Sequence, residues 1–249
     1  YLYSAGTPFE TAAIENVDFS VEKGELIGII GHTGSGKSTL IQHCNGLLEP
    51  HGGVVFLNGK DIWAKENRKH IRDVRFSVGL CFQYPEYQIF EETVFKEIAF
   101  GPKQMGLKEK EIKERVYKSM AFVGIDRSFE NKSPFDLSGG QKRRVAIASV
   151  IAMQPQVLIL DEPCAGLDPK GRERILALIK EYRETMGTTV IVVSHSMEDM
   201  AEICSRVLVM DHGKTAMYGT VAEVYSQAGK MRSMGLNIPQ ITDIFLRLK

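Results

Sequence analysis

The sequence predicts an α/β fold with a parallel sheet at its core and an inserted helical region. Two short runs, Leu26 to Ile30 and Val157 to Leu160, are apolar throughout, which is typical of strands buried on both faces. Between Glu92 and Val123 the charged and apolar residues follow helical spacing instead. The second half of the chain then alternates strand, helix and strand, the order that builds a parallel sheet.

Composition limits the classes of protein to consider. The 249 residues include 31 basic and 31 acidic side chains and are 43% hydrophobic, the values of an ordinary globular protein. A neutral chain is a poor candidate for nucleic-acid binding over its whole surface. No apolar run reaches the roughly 20 residues of a membrane span. The four cysteines are widely separated and form no C-x-x-C pair, so neither a zinc site nor a disulfide framework is indicated.

The first third of the chain is predicted to consist of strands around one helix. Alternating apolar and polar residues in Ile14 to Val21 predict a half-buried strand, and the first buried strand follows it. Glycine-rich sequence then leads into a helix that begins near Lys37. Gly53 to Gly59 is predicted as a strand that ends in an Asn-Gly turn, and Phe76 to Phe82 as a buried strand.

Helices and strands alternate through the rest of the chain. Lys108 to Phe122 gives the clearest amphipathic helix, and another helix follows Gly139. After the second buried strand we expect a helix over Lys170 to Met186 and a strand over Thr189 to Val193. Arg206 to Gly219 resembles two further short strands.

The end of the chain is predicted to be helical. Pro239 suits the first turn of a helix, and the residues after it form an apolar stripe at helical spacing: Ile241, Ile244, Phe245 and Leu248. We therefore divide the chain into a domain over residues 1–220, with a helical subdomain over about 84–155, and a C-terminal helical segment over 221–249. The chain opens at Tyr1 rather than Met, so we expect that residues precede it.

A glycine-rich stretch fits the phosphate-binding pattern G-x-x-x-x-G-K-[ST]. It follows a buried strand and precedes a helix, the context that this motif requires. Its glycines let backbone N–H groups converge on phosphate oxygens, while Lys37 reaches the β and γ phosphates and Ser38 offers an oxygen to Mg²⁺. A chance glycine turn is the alternative. The residues predicted to hold ATP here are Gly31, His32, Thr33, Gly34, Ser35, Gly36, Lys37, Ser38 and Thr39.

Two acids end the second buried strand. Asp161 is predicted to hold Mg²⁺, and Glu162 to act as the general base that orients the water attacking the γ phosphate. Acids that merely end a strand are the alternative interpretation. The phosphate-binding loop upstream favours the catalytic one.

A second anion site is predicted before the acidic strand, at Leu137-Ser138-Gly139-Gly140-Gln141. Ser138 and the amides of Gly139 and Gly140 would lie at the N-terminus of a helix, although an ordinary helix cap would use the same serine. With the phosphate-binding loop upstream, this motif resembles the signature of the ATP-binding cassette (ABC) family. The resemblance implies that Ser138, Gly139, Gly140 and Gln141 contact ATP.

Membership of that family would specify the fold and the assembly. It implies a P-loop NTPase (ABC ATPase) fold with a RecA-like parallel-sheet core, an antiparallel β subdomain, an inserted helical subdomain and a short C-terminal helical segment. It also implies a head-to-tail dimer, in which each signature helix caps ATP held by the other subunit. ATP would drive closure of that dimer.

Four further positions resemble functional residues of the family. Gln83 corresponds to a glutamine that senses Mg²⁺ and the attacking water, and His195 to a histidine that contacts the γ phosphate. Asp168 corresponds to a loop that crosses the dimer interface. Tyr3 resembles the aromatic residue on which adenine stacks, with Tyr1 close by as an alternative.

The stretches from Phe82 to Val94 and from Ala99 to Pro102 resemble the ATPases of energy-coupling factor (ECF) transporters. Gly235 to Pro239 resembles their C-terminal dimerisation segment. This resemblance implies a second cassette, identical or paralogous, a transmembrane scaffold, and a substrate-binding membrane subunit that selects a vitamin or transition-metal ion. The chain would then be peripheral, at the cytoplasmic face of the cell membrane.

Coupling helices of such a scaffold would rest in grooves that follow Gln83. The candidates to line the groove are Tyr84, Tyr87 and Phe90, whose rings could equally pack inside the subdomain. Two other functions stay open: a soluble ABC ATPase that acts on DNA or ribosomes, and a catalytically inactive cassette. We expect no nucleic-acid partner, because the basic cluster over residues 68–75 lacks an aromatic platform.

Overall fold

The computed structural model describes residues 1–239. These residues form the strands β1 (Leu2–Tyr3), β2 (Thr11–Ala12), β3 (Leu26–Ile30), β4 (Phe56–Leu57), β5 (Lys60–Asp61), β6 (Val78–Cys81), β7 (Val157–Asp161), β8 (Thr189–Val193), β9 (Arg206–Asp211) and β10 (Lys214–Thr220). They also form the α-helices α1 (Lys37–Cys44), α2 (Ile71–Ser77), α3 (Val94–Gln104), α4 (Glu109–Phe122), α5 (Gly139–Ile151), α6 (Pro169–Met186), α7 (Met197–Ile203), α8 (Val221–Tyr225) and α9 (Ala228–Ser233).

The chain divides into two compact units. The first combines Tyr1–Ile71 with the residues from Thr189 onward, and the second is Arg72–Thr188. The domain boundaries that the sequence predicts, near residues 84, 155 and 220, stay predictions.

A sheet in the first unit positions the glycine-rich loop. Strand β3 pairs in parallel with both β8 and β9, and β10 pairs antiparallel with β9. Every residue of β3 and β8 is buried, which explains the apolar character of both runs. Since β3 and β8 are parallel, their carboxyl ends lie at one edge of the sheet, and the glycine-rich loop and His195 follow those ends.

The second unit contains a parallel strand pair and a group of packed helices. Strand β6 pairs with β7 from Val78↔Val157 to Cys81↔Leu160. Helices α3, α4 and α5 pack on one another, and α5 also packs on β6. A Cβ added to Gly79 would lie 2.7 Å from Val150 Cγ1, so glycine permits this close contact between strand and helix.

Two predicted strands differ from the structure. Ile14 to Val21 is not a strand, because Asn16 adopts a left-handed conformation with φ of 52° that interrupts an extended run. The strand predicted from Phe76 begins only at Val78, since α2 continues to Ser77. Helices α2 and α7, strand β5 and the short β1–β2 pair are additional to the elements that the sequence predicts, while α8 and α9 fall within the predicted C-terminal helical segment.

Within residues 1–239, no helix combines the length and the hydrophobicity that crossing a bilayer requires. Near the end of this range Leu236 and Ile238 are buried. The predicted apolar stripe from Ile241 to Leu248 lies outside the described residues.

Candidate functional site

Close backbone packing fixes both ends of the glycine-rich loop. A Cβ on Gly31 would lie only 2.3 Å from the carbonyl oxygen of Met210. At Gly36, where φ is 95°, a Cβ would lie 2.6 Å from the carbonyl oxygen of Ala13. Only glycine fits these two positions. The two close contacts fix the position of the loop relative to Met210 and Ala13.

Positive charge and the N-terminal turn of helix α1 lie at the same end of the helix. Lys37 is 7% exposed, and its Nζ donates to the carbonyl oxygens of Gly31 (2.7 Å) and His32 (2.9 Å). The N-cap residue, Gly36, has no side chain that could accept the N–H groups of the first turn. This end of α1 therefore suits a phosphate group. Ser38 is exposed in the same turn, while Thr39 is buried.

His195 lies beside the phosphate-binding loop. Burial and the charge of Lys37 lower the pKa of this imidazole, and a hydrogen bond with the backbone of Gly31 partly opposes them. The ring is therefore neutral at pH 7, since even the ordinary pKa of histidine is about 6.5. A neutral imidazole can donate one hydrogen bond to a phosphate oxygen without carrying a charge of its own.

The structure distinguishes the two N-terminal tyrosines. The ring of Tyr1 stacks on His51, with 4.7 Å between centroids, and packs edge-on against His43. Tyr3 is 41% exposed, and its hydroxyl lies 3.2 Å from Oγ1 of Thr39 in helix α1. Tyr3 thus stands next to the phosphate-binding end of α1 with more of its ring available for stacking.

The two acids of the second unit are buried at the end of β7. Asp161 is 7% exposed and Glu162 is 9% exposed. Glu162 also adopts a left-handed conformation with φ of 51°, which costs a residue with a Cβ about 1–2 kcal/mol. Gln83 is exposed in a bend just after β6. Because β6 and β7 are parallel neighbours, Gln83 and the acids follow strand ends at the same edge.

The predicted signature forms the exposed start of helix α5. Ser138 Oγ accepts the N–H of Gln141 (3.3 Å), and Gln141 Oε1 accepts the N–H of Ser138 (2.9 Å), a complete capping box. Gly139 and Gly140 are exposed, and a Cβ at either would meet nothing within 4 Å among the described atoms. The helix cap and an anion site are therefore compatible at this position. Asp168 is also a helix cap, since its Oδ1 accepts the N–H of Gly171 at the start of α6 (2.7 Å).

Arg143 connects segments of the candidate site, a role that the sequence analysis missed. This guanidinium is 3% exposed and binds both carboxylate oxygens of Glu86, at 2.8 and 3.1 Å. It also donates to the carbonyl oxygens of Pro163 (3.3 Å) and Ala165 (2.6 Å). One cation on α5 thus holds together the signature helix, the segment after Gln83 and the turn after Glu162.

The sequence offers little sign of this role. Arg143 belongs to the run Lys142-Arg143-Arg144, which has the appearance of a solvated basic face. Arg144 is also committed to the protein, because its Nη1 donates to the carbonyl oxygens of Val123 (3.1 Å) and Gly124 (2.7 Å) after helix α4. The sequence offered one signal of the Arg143 contact. Glu86 lies three residues after Gln83, and an acidic residue there could pair with a basic side chain.

A groove of about 360 Å³ lies within the second unit, between α3, α5 and the short 3-10 helix Pro85–Gln88. Phe90 lines the groove and is 58% exposed. Its ring packs edge-on against Phe100, with 5.0 Å between centroids. A carboxylate oxygen of Glu97 accepts the N–H groups of Phe90 (3.1 Å) and Glu91 (3.0 Å) and holds that segment in place. The other two predicted groove residues, Tyr84 and Tyr87, are exposed but do not line this groove.

Comparisons with known proteins agree with these motifs. A family profile described as ABC transporter matches residues 14–165. The energy-coupling factor transporter ATP-binding protein EcfA2 of Caldanaerobacter subterraneus subsp. tengcongensis is 54% identical over 249 residues, which covers 100% of this chain and 86% of that protein. The EcfA2 protein of Clostridium perfringens is 53% identical over 250 residues, 100% of this chain and 87% of that protein.

Two solved structures are similar over most of their length. The structure of cbiO1 from Clostridium perfringens, described as part of the ABC transporter complex cbiONQ, has a TM-score of 0.81, 36% identity and coverage of 98% of this chain and 95% of that one. A dimeric ATP-binding cassette in a post-hydrolysis state, bound to ADP and Pi, has a TM-score of 0.78, 26% identity and coverage of 88% and 95%. The predicted α/β fold class is confirmed.

We expect Arg143→Met to lower the free energy of unfolding by about 3–5 kcal/mol, because the Glu86 carboxylate, which is 14% exposed, would lose its cation. Denaturant unfolding measures the loss, and Arg174→Met, at an exposed position on α6, is the control. The double variant Arg143→Met/Glu86→Gln should regain part of the loss. Strict additivity of the two single losses would contradict the ion-pair role.

Proposed function

The chain belongs to the ABC transporter family, and we propose that it is the ATP-hydrolysing subunit of an ECF-type importer. One observation carries the proposal: a complete phosphate-binding loop, with Lys37 and His195 in place, in a chain that is 54% identical over its full length to an ECF ATP-binding protein. The high identity and coverage support the transport role, and the loop supports the chemistry.

In this proposal ATP binds with its phosphates at the start of α1. Lys37 exchanges its two carbonyl partners for the β and γ phosphate oxygens, and the first-turn N–H groups donate to the same phosphates. The neutral imidazole of His195 donates to the γ phosphate. The exposed ring of Tyr3 stacks on adenine.

The donor set suits Mg²⁺ as the companion of ATP. Ser38 offers a hydroxyl oxygen, Asp161 a carboxylate and Gln83 an amide oxygen, all of them the hard oxygen ligands that Mg²⁺ prefers. When bound, Mg²⁺ neutralises charge that develops on the β and γ phosphates. Glu162 accepts the proton of the attacking water and orients that water toward phosphorus.

A second cassette completes each ATP site in the proposed mechanism. The start of α5, with Ser138 and its two neighbouring glycines, is exposed and capped, so it can meet the γ phosphate held by a partner cassette. Asp168 belongs to the loop that crosses this interface. The γ phosphate favours the closed dimer because only that state offers it both sets of donors. Hydrolysis removes the bridge and lets the dimer reopen.

The groove beside Phe90 is the proposed contact with the membrane scaffold. Its exposed phenylalanine and its lining by α3 and α5 suit the apolar face of an amphipathic coupling helix. Arg143 and Glu86 connect the 3-10 helix at this groove to the signature helix and to the turn after Glu162. Through them, movement of the scaffold reaches the catalytic residues at the cytoplasmic face of the membrane. A separate membrane subunit selects the vitamin or metal ion that is imported.

Glu162→Gln should leave ATP binding intact and reduce turnover at least about 100-fold, because the phosphate contacts survive while the general base is lost. The variant should accumulate as an ATP-bound dimer. Phosphate release and size-exclusion chromatography with ATP measure the two effects. Turnover at the wild-type rate would remove Glu162 from the mechanism.

Ser138→Arg should abolish hydrolysis without displacing ATP from the loop of the same chain, because the bulky cation blocks the shared site of the dimer. Calorimetry measures nucleotide affinity, and phosphate release measures activity. Ser128→Arg, at an exposed serine in the same unit, is the matched control and should stay active. Full activity of the Ser138 variant would rule out the shared-site dimer.

Phe90→Asp should prevent co-purification with a multi-span membrane protein, because a carboxylate would have to be buried under the coupling helix. Phe56→Asp is the control, since Phe56 has a similar exposure (63% against 58%) and lies on β4 in the other unit. Pull-down from detergent-solubilised membranes tests both. Equal recovery of the membrane partner by the two variants would place the docking surface elsewhere.

A further inference from the structure

Three metal-ligating side chains converge at the rim of the phosphate-binding loop. Asp211 Oδ1 lies 3.0 Å from Nε2 of His32 and 3.7 Å from Nε2 of His212. One ligand atom from each residue lies within 4.8 Å of the others. The two imidazole rings pack edge-on against each other, with 5.1 Å between centroids and 60° between their planes.

The hydrogen bonds of His32 orient its ring so that Nε2 faces the carboxylate of Asp211. Nδ1 lies 2.7 Å from the carbonyl oxygen of Thr33, and because a carbonyl only accepts, Nδ1 must carry the proton of that bond. Nε2 of the same ring lies 3.0 Å from Oδ1 of Asp211. Both atoms can serve as metal ligands, and a cation between them would bind the two together.

Geometry and chemistry favour a cation. Ligand atoms around a tetrahedral ion at about 2.0–2.2 Å are roughly 3.3–3.6 Å apart, close to the distances found at Asp211. Metal-binding histidines commonly donate their other N–H to a backbone carbonyl, as His32 does to Thr33. The side chain of His212 is 84% exposed, so solvent can deliver the ion and supply a fourth ligand.

We propose that His32, Asp211 and His212 form a binding site for a divalent transition metal ion such as Zn²⁺, Co²⁺ or Ni²⁺. Two imidazoles and one carboxylate suit these borderline ions, whereas Mg²⁺ prefers oxygen ligands alone. The site is thus chemically different from the Mg²⁺ site of the nucleotide. It does not depend on ATP hydrolysis or on the import function proposed above.

The proposed metal site lies next to the phosphate-binding loop. His212 and Gly213, with φ of 44° and 76°, form the tight turn between β9 and β10 and project from the strand end next to Gly31. His32 is the second residue of the loop, and its carbonyl oxygen accepts from Lys37. An ion bound to both histidines would tie the phosphate-binding loop to this turn.

Metal binding to the full-length chain tests the proposal directly. Zn²⁺ is titrated by calorimetry, and Co²⁺ by its visible absorption, without nucleotide and with excess Mg²⁺ to occupy oxygen-only sites. His212→Asn removes one ligand and suits the left-handed turn position, because asparagine tolerates positive φ. His70→Asn, at an exposed histidine outside the cluster, is the matched control.

The expected result is one ion per chain, with affinity at least about tenfold lower in His212→Asn and unchanged in His70→Asn. Asp211→Asn should weaken binding in the same way. The absence of stoichiometric binding to the wild-type chain would overturn the proposal and leave the His32–Asp211 contact as a hydrogen bond within the protein. Equal affinity in the His212 and His70 variants would overturn it as well.

Discussion

The first unit depends on the close packing of the phosphate-binding loop against the chain around Gly213. The N–H of Gly213 donates to Ser35 O (3.1 Å), and its own carbonyl oxygen accepts the N–H of Glu15 (2.8 Å). Three segments that are distant in sequence are thereby joined through backbone atoms alone. The packing depends on glycine, because a Cβ at Gly31, Gly36 or Gly213 would lie less than 3 Å from a backbone oxygen, and it holds the loop that carries Lys37 against its neighbours.

In the second unit, a buried charge joins segments that are distant in sequence. Arg143 binds a carboxylate and two carbonyl groups, and it connects the signature helix with the turns that carry Glu86 and Ala165. A guanidinium can satisfy several acceptors at once because its donors form a rigid, planar fork. In the proposed mechanism, the connection between the groove and the turn after Glu162 is therefore a hydrogen-bonded network rather than apolar packing.

The parts of the structure that the sequence predicts correctly are those governed by short-range patterns. β3, β7 and β8 are mostly apolar because nearly all of their residues are buried, and the loop motif depends on consecutive residues. The strand predicted over Ile14 to Val21 was wrong because alternation does not reveal the left-handed backbone at Asn16. Arg143 and the cluster at Asp211 were missed since their partners are distant in sequence.

The capping box at Ser138 explains how one hydroxyl can serve a helix and a ligand together. Within the helix the oxygen acts only as an acceptor, toward the N–H of Gln141. The hydroxyl proton is not used by that bond and can point outward to a phosphate oxygen. Aspartate would cap the helix equally well but would present a negative charge and no proton to the incoming anion. Under the proposed shared site, the N-cap residue of this helix would thus need a hydroxyl proton to donate as well as an oxygen that caps the helix.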